Sequence, residues 1–228
     1  MNVLAIDTST EILSVAIETN TGDRHATVDD SGLRHSERLV KTINEVLERG
    51  SVAVSDIDLI AVSLGPGSFT GLRIGLASAK GLAVATGADI VQVDTLSVYG
   101  ALYSSFDAAV VAVIDAKKHR FYAAGYKEGV ELFPPSDLEP QEILDRTAGQ
   151  DRVVITGPHA SEFIERASEC LRCRLDPGHR RPIAIAMIRA AKERYQTDGP
   201  APEDCVPRYV RRSDAELSIE RAKRVDQP

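Results

Sequence analysis

The residues best equipped for chemistry gather in one stretch, Gly65-Pro66-Gly67-Ser68-Phe69-Thr70-Gly71-Leu72-Arg73-Ile74-Gly75. An apolar run at 57–64, read as a buried strand, precedes it, and a helix of small residues follows. Glycine at such a turn allows positive φ and close backbone approach to a neighbour. The neighbour is either a phosphate or another helix. The spacing fits neither standard phosphate loop. Glycines 65, 67 and 71 give G-x-G-x-x-x-G, one residue too long for the dinucleotide fingerprint. Gly71 is followed by Leu72-Arg73, where a P-loop needs lysine and a hydroxyl residue, and Lys80 lies too far along the helix. The other reading is close packing, for which Gly71, Gly75, Ala77, Ser78, Ala79 and Gly81 keep the helix surface thin.

Three further groups are candidates. Asp7 ends the apolar strand Val3–Ile6 as a functional carboxylate or, the favoured reading, as a turn residue. Cys170-x-x-Cys173 invites a metal or redox reading. Its neighbours His159, His179 and the distant Cys205 make a poor zinc set, so the pair reads as two ordinary thiols near a helix end. A basic cluster, Arg172, Arg174, Arg180, Arg181, Arg189, Lys192 and Arg194, reads first as a solvated face, with contact to RNA phosphates as the alternative.

The elements that must position these residues alternate along 228 residues. Strands are expected at 3–6, 13–17, 24–28, 57–64 and 89–93, with helices at 33–49, 70–86 and 95–103. The second half restarts with strands 109–114, 121–126 and 153–156 and helices 140–147, 159–171 and 183–195. The division falls into a lobe at 1–104 and a lobe at 105–228. An apolar fraction of 43% and a charged fraction of 27% are ordinary for a folded domain, and the net charge of −7 opposes a nucleic-acid-coating surface. With no signal peptide or membrane span, the expectation is a cytoplasmic chain.

Each half opens with an apolar strand ending in Ile-Asp, then an antiparallel return strand. This echo is the order of an α/β fold, a duplicated ribonuclease-H-like architecture with two lobes of mixed sheets flanked by helices. Actin-like ATPases, sugar kinases and Hsp70-type proteins share it and hold phosphate between the lobes. Their three glycine-bearing turns look eroded here. The first is Asp7-Thr8-Ser9-Thr10, the second Asp115-Ala116-Lys117-Lys118-His119, and the adenosine turn is Thr156-Gly157-Pro158-His159. A Cβ disfavours the needed backbone, and proline removes a donor. Asp7, Asp115 and Gly157 are therefore degenerate positions, with no cofactor or metal expected.

Ile6–Thr10, the 65–83 stretch, Ile114-Asp115-Ala116 and Pro207-Arg208-Tyr209-Val210-Arg211 together resemble the TsaB (YeaZ) family, from residue 2 to about 212. The resemblance implies an inactive actin-like paralogue of TsaD, the transferase that forms threonylcarbamoyladenosine (t6A) beside the tRNA anticodon. TsaD-type proteins bind metal through His-x-x-x-His, and the matching positions here are Thr95 and Tyr99. The family implies a heterodimer with a TsaD-like transferase, recruitment of a TsaE-like ATPase, a homodimer through the same helices, and tRNA contact only through the complex. The expected interface comprises His35, Leu39, Ile43, Thr70, Leu72, Arg73, Gly75, Leu76 and Lys80. Arg120 stands where TsaB sequences often carry glutamate, a charge reversal. The competing expectation is an actin-like ATPase, kinase or metallopeptidase using Asp7.

Overall fold

A computed structural model describes residues 1–32, 35–167 and 170–211. The first half runs β1 (Val3–Asp7), β2 (Leu13–Glu18), β3 (Arg24–Asp29), α1 (His35–Gly50), β4 (Leu59–Gly65), α2 (Phe69–Thr86), β5 (Asp89–Asp94) and α3 (Thr95–Ala101). The second runs β6 (Ala109–Asp115), β7 (Phe121–Lys127), β8 (Val130–Leu138), α4 (Pro140–Arg146), β9 (Val153–Thr156), α5 (Ala160–Arg166), β10 (Cys173–Leu175) and α6 (Ala184–Asp198). The sheets are ordered β3-β2-β1-β4-β5 and β8-β7-β6-β9-β10, identical element for element. In each, the opening hairpin is antiparallel and the next strand joins in parallel. The duplicated ribonuclease-H-like fold read from the sequence is present.

β1 is apolar up to its last residue, Asp7, because it is a central strand covered on both faces, and all five of its residues are buried. α1 and α2 cover one face of the first sheet, with Leu39, Ile43, Val46, Leu47, Leu76 and Ala79 in that core. α4 and α5 cover the matching face of the second. The other two faces are closed by an exchange of helices. α3, the last helix of the first half, packs on β6 and β7, whereas α6, the last of the second, packs on β1, β2 and β5. One core runs between the sheets through Val3, Leu59, Tyr99, Ile114, Met187 and Ile188. Strands β1–β5 precede residue 104 and β6–β10 follow it, but α6 and residues 201–209 lie against the first half. Ala201 N–H donates to Ile90 O (2.7 Å) and Arg208 N–H to Leu64 O (2.9 Å).

Three elements depart from expectation. The 159–171 helix ends at Arg166, with residues 168–169 outside the described set, and Cys173 opens strand β10 instead. Parallel pairing of Cys173 with Val153 gives the chain sheet-edge hydrogen bonds, and Leu171 is left 86% exposed rather than on an apolar helix face. β8 was not foreseen because Pro134-Pro135 disguise it; as an edge strand with register shifts it tolerates them. The 33–49 helix is described from His35, Leu33 and Arg34 lying outside the described residues.

Candidate functional site between the lobes

The β1–β2 turn and the β6–β7 turn face each other across a cavity of about 590 Å³. Ser9, Thr10, Glu11 and the α2 N-terminus (Gly67, Ser68, Phe69) form one wall. Asp115–Lys118, Tyr122, His159 and Arg211 form the other.

Asp7 is 2% exposed and does not line this cavity. Its Oδ1 accepts from Ser9 N–H (3.0 Å), and burial pushes its carboxyl above the ordinary value despite hydrogen bonds from Ser9 and Ser63. It shapes the turn. That turn also explains the glycine-rich stretch. A Cβ on Gly67 would strike the Ser9 carbonyl, one on Gly71 the Thr8 carbonyl, and one on Gly75 the Thr8 hydroxyl. The Ser9 carbonyl accepts from Ser68 N–H (2.6 Å), and Ser68 caps α2 by accepting from Gly71 N–H. The close neighbour is neither a phosphate nor a second helix but the chain's own first turn. Gly81, on the outer face, has open space.

The second turn corrects an expectation. Lys117, Lys118 and His119 all adopt left-handed φ (63°, 55° and 61°) although each carries a Cβ. The turn keeps the left-handed backbone without glycine, and Lys117 folds back on Asp115, which accepts from its N–H (3.0 Å) and its Nζ (2.9 Å). Burial would raise the Asp115 carboxyl, but the Lys117 contacts outweigh it and hold the group below its ordinary value. Gly157 keeps φ 100° because a Cβ there would meet the Val113 carbonyl.

Two unforeseen devices tie the lobes together. Glu11 accepts from His159 Nε2 (3.3 Å) and Arg180 Nη1 (3.1 Å), and Arg180 also grips Asp30 (2.9 and 3.0 Å). The His159 hydrogen bond, against burial and with help from Arg180, pulls the Glu11 carboxyl down to about 2. On the other side, residues 207–211 form a strap. Tyr209 stacks on Phe69 at 4.5 Å, Arg73 lies 3.7 Å over Phe69 and donates to the Tyr209 hydroxyl (3.0 Å), and Arg208 pairs with Asp94. Arg211 donates to Asp137 (2.7 and 3.0 Å) and to Ala116 O (2.7 Å). Arg120 joins the same acidic group, reaching Asp137, Glu139 and Glu142. The charge reversal at 120 has local partners. No sequence signal marked the strap beyond the motif's polarity, because its partners are distant in the chain.

The expected interface residues divide. Leu39, Ile43, Leu72 and Leu76, expected to supply apolar contact to a partner, are buried in the chain's own core, and Gly75, expected to permit close approach of a helix, is buried against Thr8. His35 is 6% exposed and bonds Thr10 O through Nε2 (2.6 Å). Thr70 and Arg73 are exposed, and Lys80 donates to Glu203 O (2.7 Å). Exposed residues along α2 include Thr70, Arg73, Ala77, Gly81 and Val84 (89% exposed), and Val40 (64% exposed) is exposed on α1. Thr95 and Tyr99 sit inside the central core at 1% exposure.

Five of the seven side chains in the basic cluster are ion-paired within the chain, while Arg172 and Arg174 donate to backbone carbonyls. Arg181 pairs with Asp176, Arg189 with Glu193, Lys192 with Glu18 and Arg194 with Asp198, in addition to the Arg180 pairs. The two thiols read as ordinary are bonded to each other, Cys170 to Cys173, while Cys205 is free and buried. Among the described residues no helix is long and apolar enough to cross a membrane, and no three His, Cys, Asp or Glu side chains gather as a metal site.

Two matched sheets with exchanged helices, around a cleft framed by two hairpin turns, define the actin-like class. The same arrangement occurs in a Bacteroides thetaiotaomicron protein with an actin-like ATPase fold (TM-score 0.50, 9% identity, covering 82% of this chain and 95% of that one), a likeness of fold alone. Residues 30–168 match the family described as TsaD, tRNA N6-adenosine threonylcarbamoyltransferase. The chain is 36% identical to the Escherichia coli tRNA threonylcarbamoyladenosine biosynthesis protein TsaB over 129 residues, 56% of this chain and 55% of that protein, so the match spans about half that relative's length. YeaZ from Pseudomonas aeruginosa superposes with a TM-score of 0.73 at 28% identity, covering 91% of this chain and 99% of that one. The chain belongs to the TsaB (YeaZ) family and carries its TsaD-like domain.

Proposed function

We propose that this chain serves t6A formation in tRNA as a non-catalytic subunit that binds and activates a TsaD-like transferase. The supporting observation is what occupies the interlobe site. The first turn is packed against α2, Asp115 is paired with Lys117, Glu11 with His159 and Arg180, and Arg211 with Asp137. The charged groups named here, which could meet phosphate or move a proton, are committed to protein partners. The cleft is spent on fixing the lobes, and a rigid platform is what a partner transferase can use.

The partner surface in this reading is the outer stripe Ala77, Gly81 and Val84 of α2 with Val40 of α1. Small residues let a facing helix approach, and Val40 and Val84 supply apolar area. A TsaE-like ATPase would join the pair, and self-association would use the same stripe.

The test is light scattering of the chain mixed with its TsaD-like partner, beside t6A formation by the reconstituted system. Val84→Glu and Val40→Glu are expected to abolish the heterodimer and the modification with unchanged melting temperature. Leu76→Glu should instead unfold the protein, because Leu76 is 6% exposed. Full-rate modification without this chain would sink the reading. Magnesium-dependent ATP turnover abolished by Asp7→Ala would replace it with an enzyme.

A further inference from the structure

The bonded pair Cys170–Cys173 lies outside the interlobe cavity and outside the proposed interface. We propose that it is a thiol–disulfide exchange site, whose co-reactants are small thiols such as glutathione or the dithiol of another protein.

The turn that brings the sulfurs together is held by backbone bonds of its own. Cys170 N–H donates to Ala167 O (2.9 Å) and Cys173 N–H to Cys170 O (3.1 Å), with the Cα atoms 5.4 Å apart. Cys173 also begins β10 and is registered against Val153. Reduction therefore leaves the thiols side by side, and the bond re-forms within one molecule.

A structural staple would be placed differently. Disulfides stabilise chiefly by constraining the unfolded chain, more so for longer loops, and this one encloses only Leu171 and Arg172. The two sulfurs are also inequivalent. Cys170 is half-buried and Cys173 is 6% exposed, so Cys170 is the one open to attack.

Two arginines hold the turn and its neighbouring backbone. Arg174 Nη1 donates to the carbonyls of Leu171 (2.6 Å) and Cys173 (2.9 Å), which lays its guanidinium over the turn. Arg172 donates Nη2 to Leu144 O (2.7 Å) and keeps a buried Nε without a hydrogen-bond partner. The thiolate is the nucleophile and the better leaving group in such exchange.

The exchange balances in both directions. An external thiolate attacks Cys170 Sγ, the Cys170–Cys173 bond breaks, and Cys173 leaves as thiolate and takes a proton. A second external thiolate then attacks the outer sulfur of the mixed disulfide and releases Cys170. Two external thiols are oxidised to one disulfide while the pair gains two electrons and two protons. Oxidation is the reverse.

The test is to equilibrate the whole, native protein in graded ratios of reduced to oxidised glutathione. The samples are quenched with acid, labelled with maleimide and weighed intact. Two labels should appear together toward the reducing end, none at buried Cys205, and both should be lost again on oxidation. In Cys173→Ser the remaining Cys170 should form a mixed disulfide with glutathione at least about tenfold faster than Cys173 does in Cys170→Ser. Cys173→Ala replaces Cys173→Ser if the hydroxyl is not tolerated in the core, and the wild-type titration needs no variant. Reduction only after unfolding, failure of the pair to re-form, or equal rates at the two cysteines would overturn the proposal.

Discussion

A single methyl group measures how closely this chain packs against itself at the 65–75 stretch. Gly71→Ala sets a Cβ against the Thr8 carbonyl, which is backbone, whereas Gly75→Ala sets it against the Thr8 hydroxyl. Each should lower stability by about 1–3 kcal/mol in denaturant unfolding. Thr8→Ala should restore most of the loss in Gly75→Ala and none in Gly71→Ala, since only a side-chain obstacle can be deleted. At Glu11 the prediction concerns acid. Its carboxyl is held at about 2 against an ordinary 4.5. A depressed folded-state value stabilises the fold in full above the unfolded value. The contribution is lost as pH falls from about 4.5 through about 2. Urea midpoints measured across that range should fall, and Glu11→Gln should flatten that part of the slope. At this scale the sequence was only half legible. The glycine spacing announced close approach, and the missing glycines pointed to a changed turn. What the glycines approach depends on contacts between distant segments, and that three residues with a Cβ keep left-handed backbone at 117–119 runs against their ordinary preference.

The elements were the most legible level, and their failures have local causes. α1 could be read because Leu39, Ile43, Val46 and Leu47 recur at helical spacing and all four face the sheet. The same regularity misled on function, since a period of 3.6 says which residues share a face and not which face meets a partner. β8 was hidden by its prolines, and the end of α5 by apolar residues that continue helically while the backbone turns to join β9. The strap 207–211 is a prediction at this level. Tyr209→Ala removes the ring from Phe69 and the acceptor for Arg73 while leaving the Arg208 and Arg211 pairs. Proteolysis or hydrogen exchange of the native protein should show residues 206–211 opening more readily, with the sheets still protected.

For the whole molecule, the exchange of α3 and α6 governs behaviour. Each sheet is covered on one face by a helix from the other half, so the halves are not separable folding units. Calorimetry of the intact chain should give one transition rather than two. A fragment of residues 1–104 should fail to unfold cooperatively, because Val3, Leu59 and Val91 lose Met187, Ile188 and Ala191. The repeat of strand order was visible in the sequence as the echo of Ile6-Asp7 in Ile114-Asp115. The exchange was not, because nothing in the amphipathic pattern of α6 distinguishes one sheet from the other. The exchange also bears on how the chain is made. Synthesis runs from the N-terminus, and the first sheet is complete when Asp94 has emerged, but one of its faces stays bare until Ala184–Asp198 follows. Throughout that interval an apolar sheet surface is exposed on the ribosome. The nascent chain is therefore a natural client for chaperones that bind apolar segments, and translational pauses between 94 and 198 would lengthen its exposure.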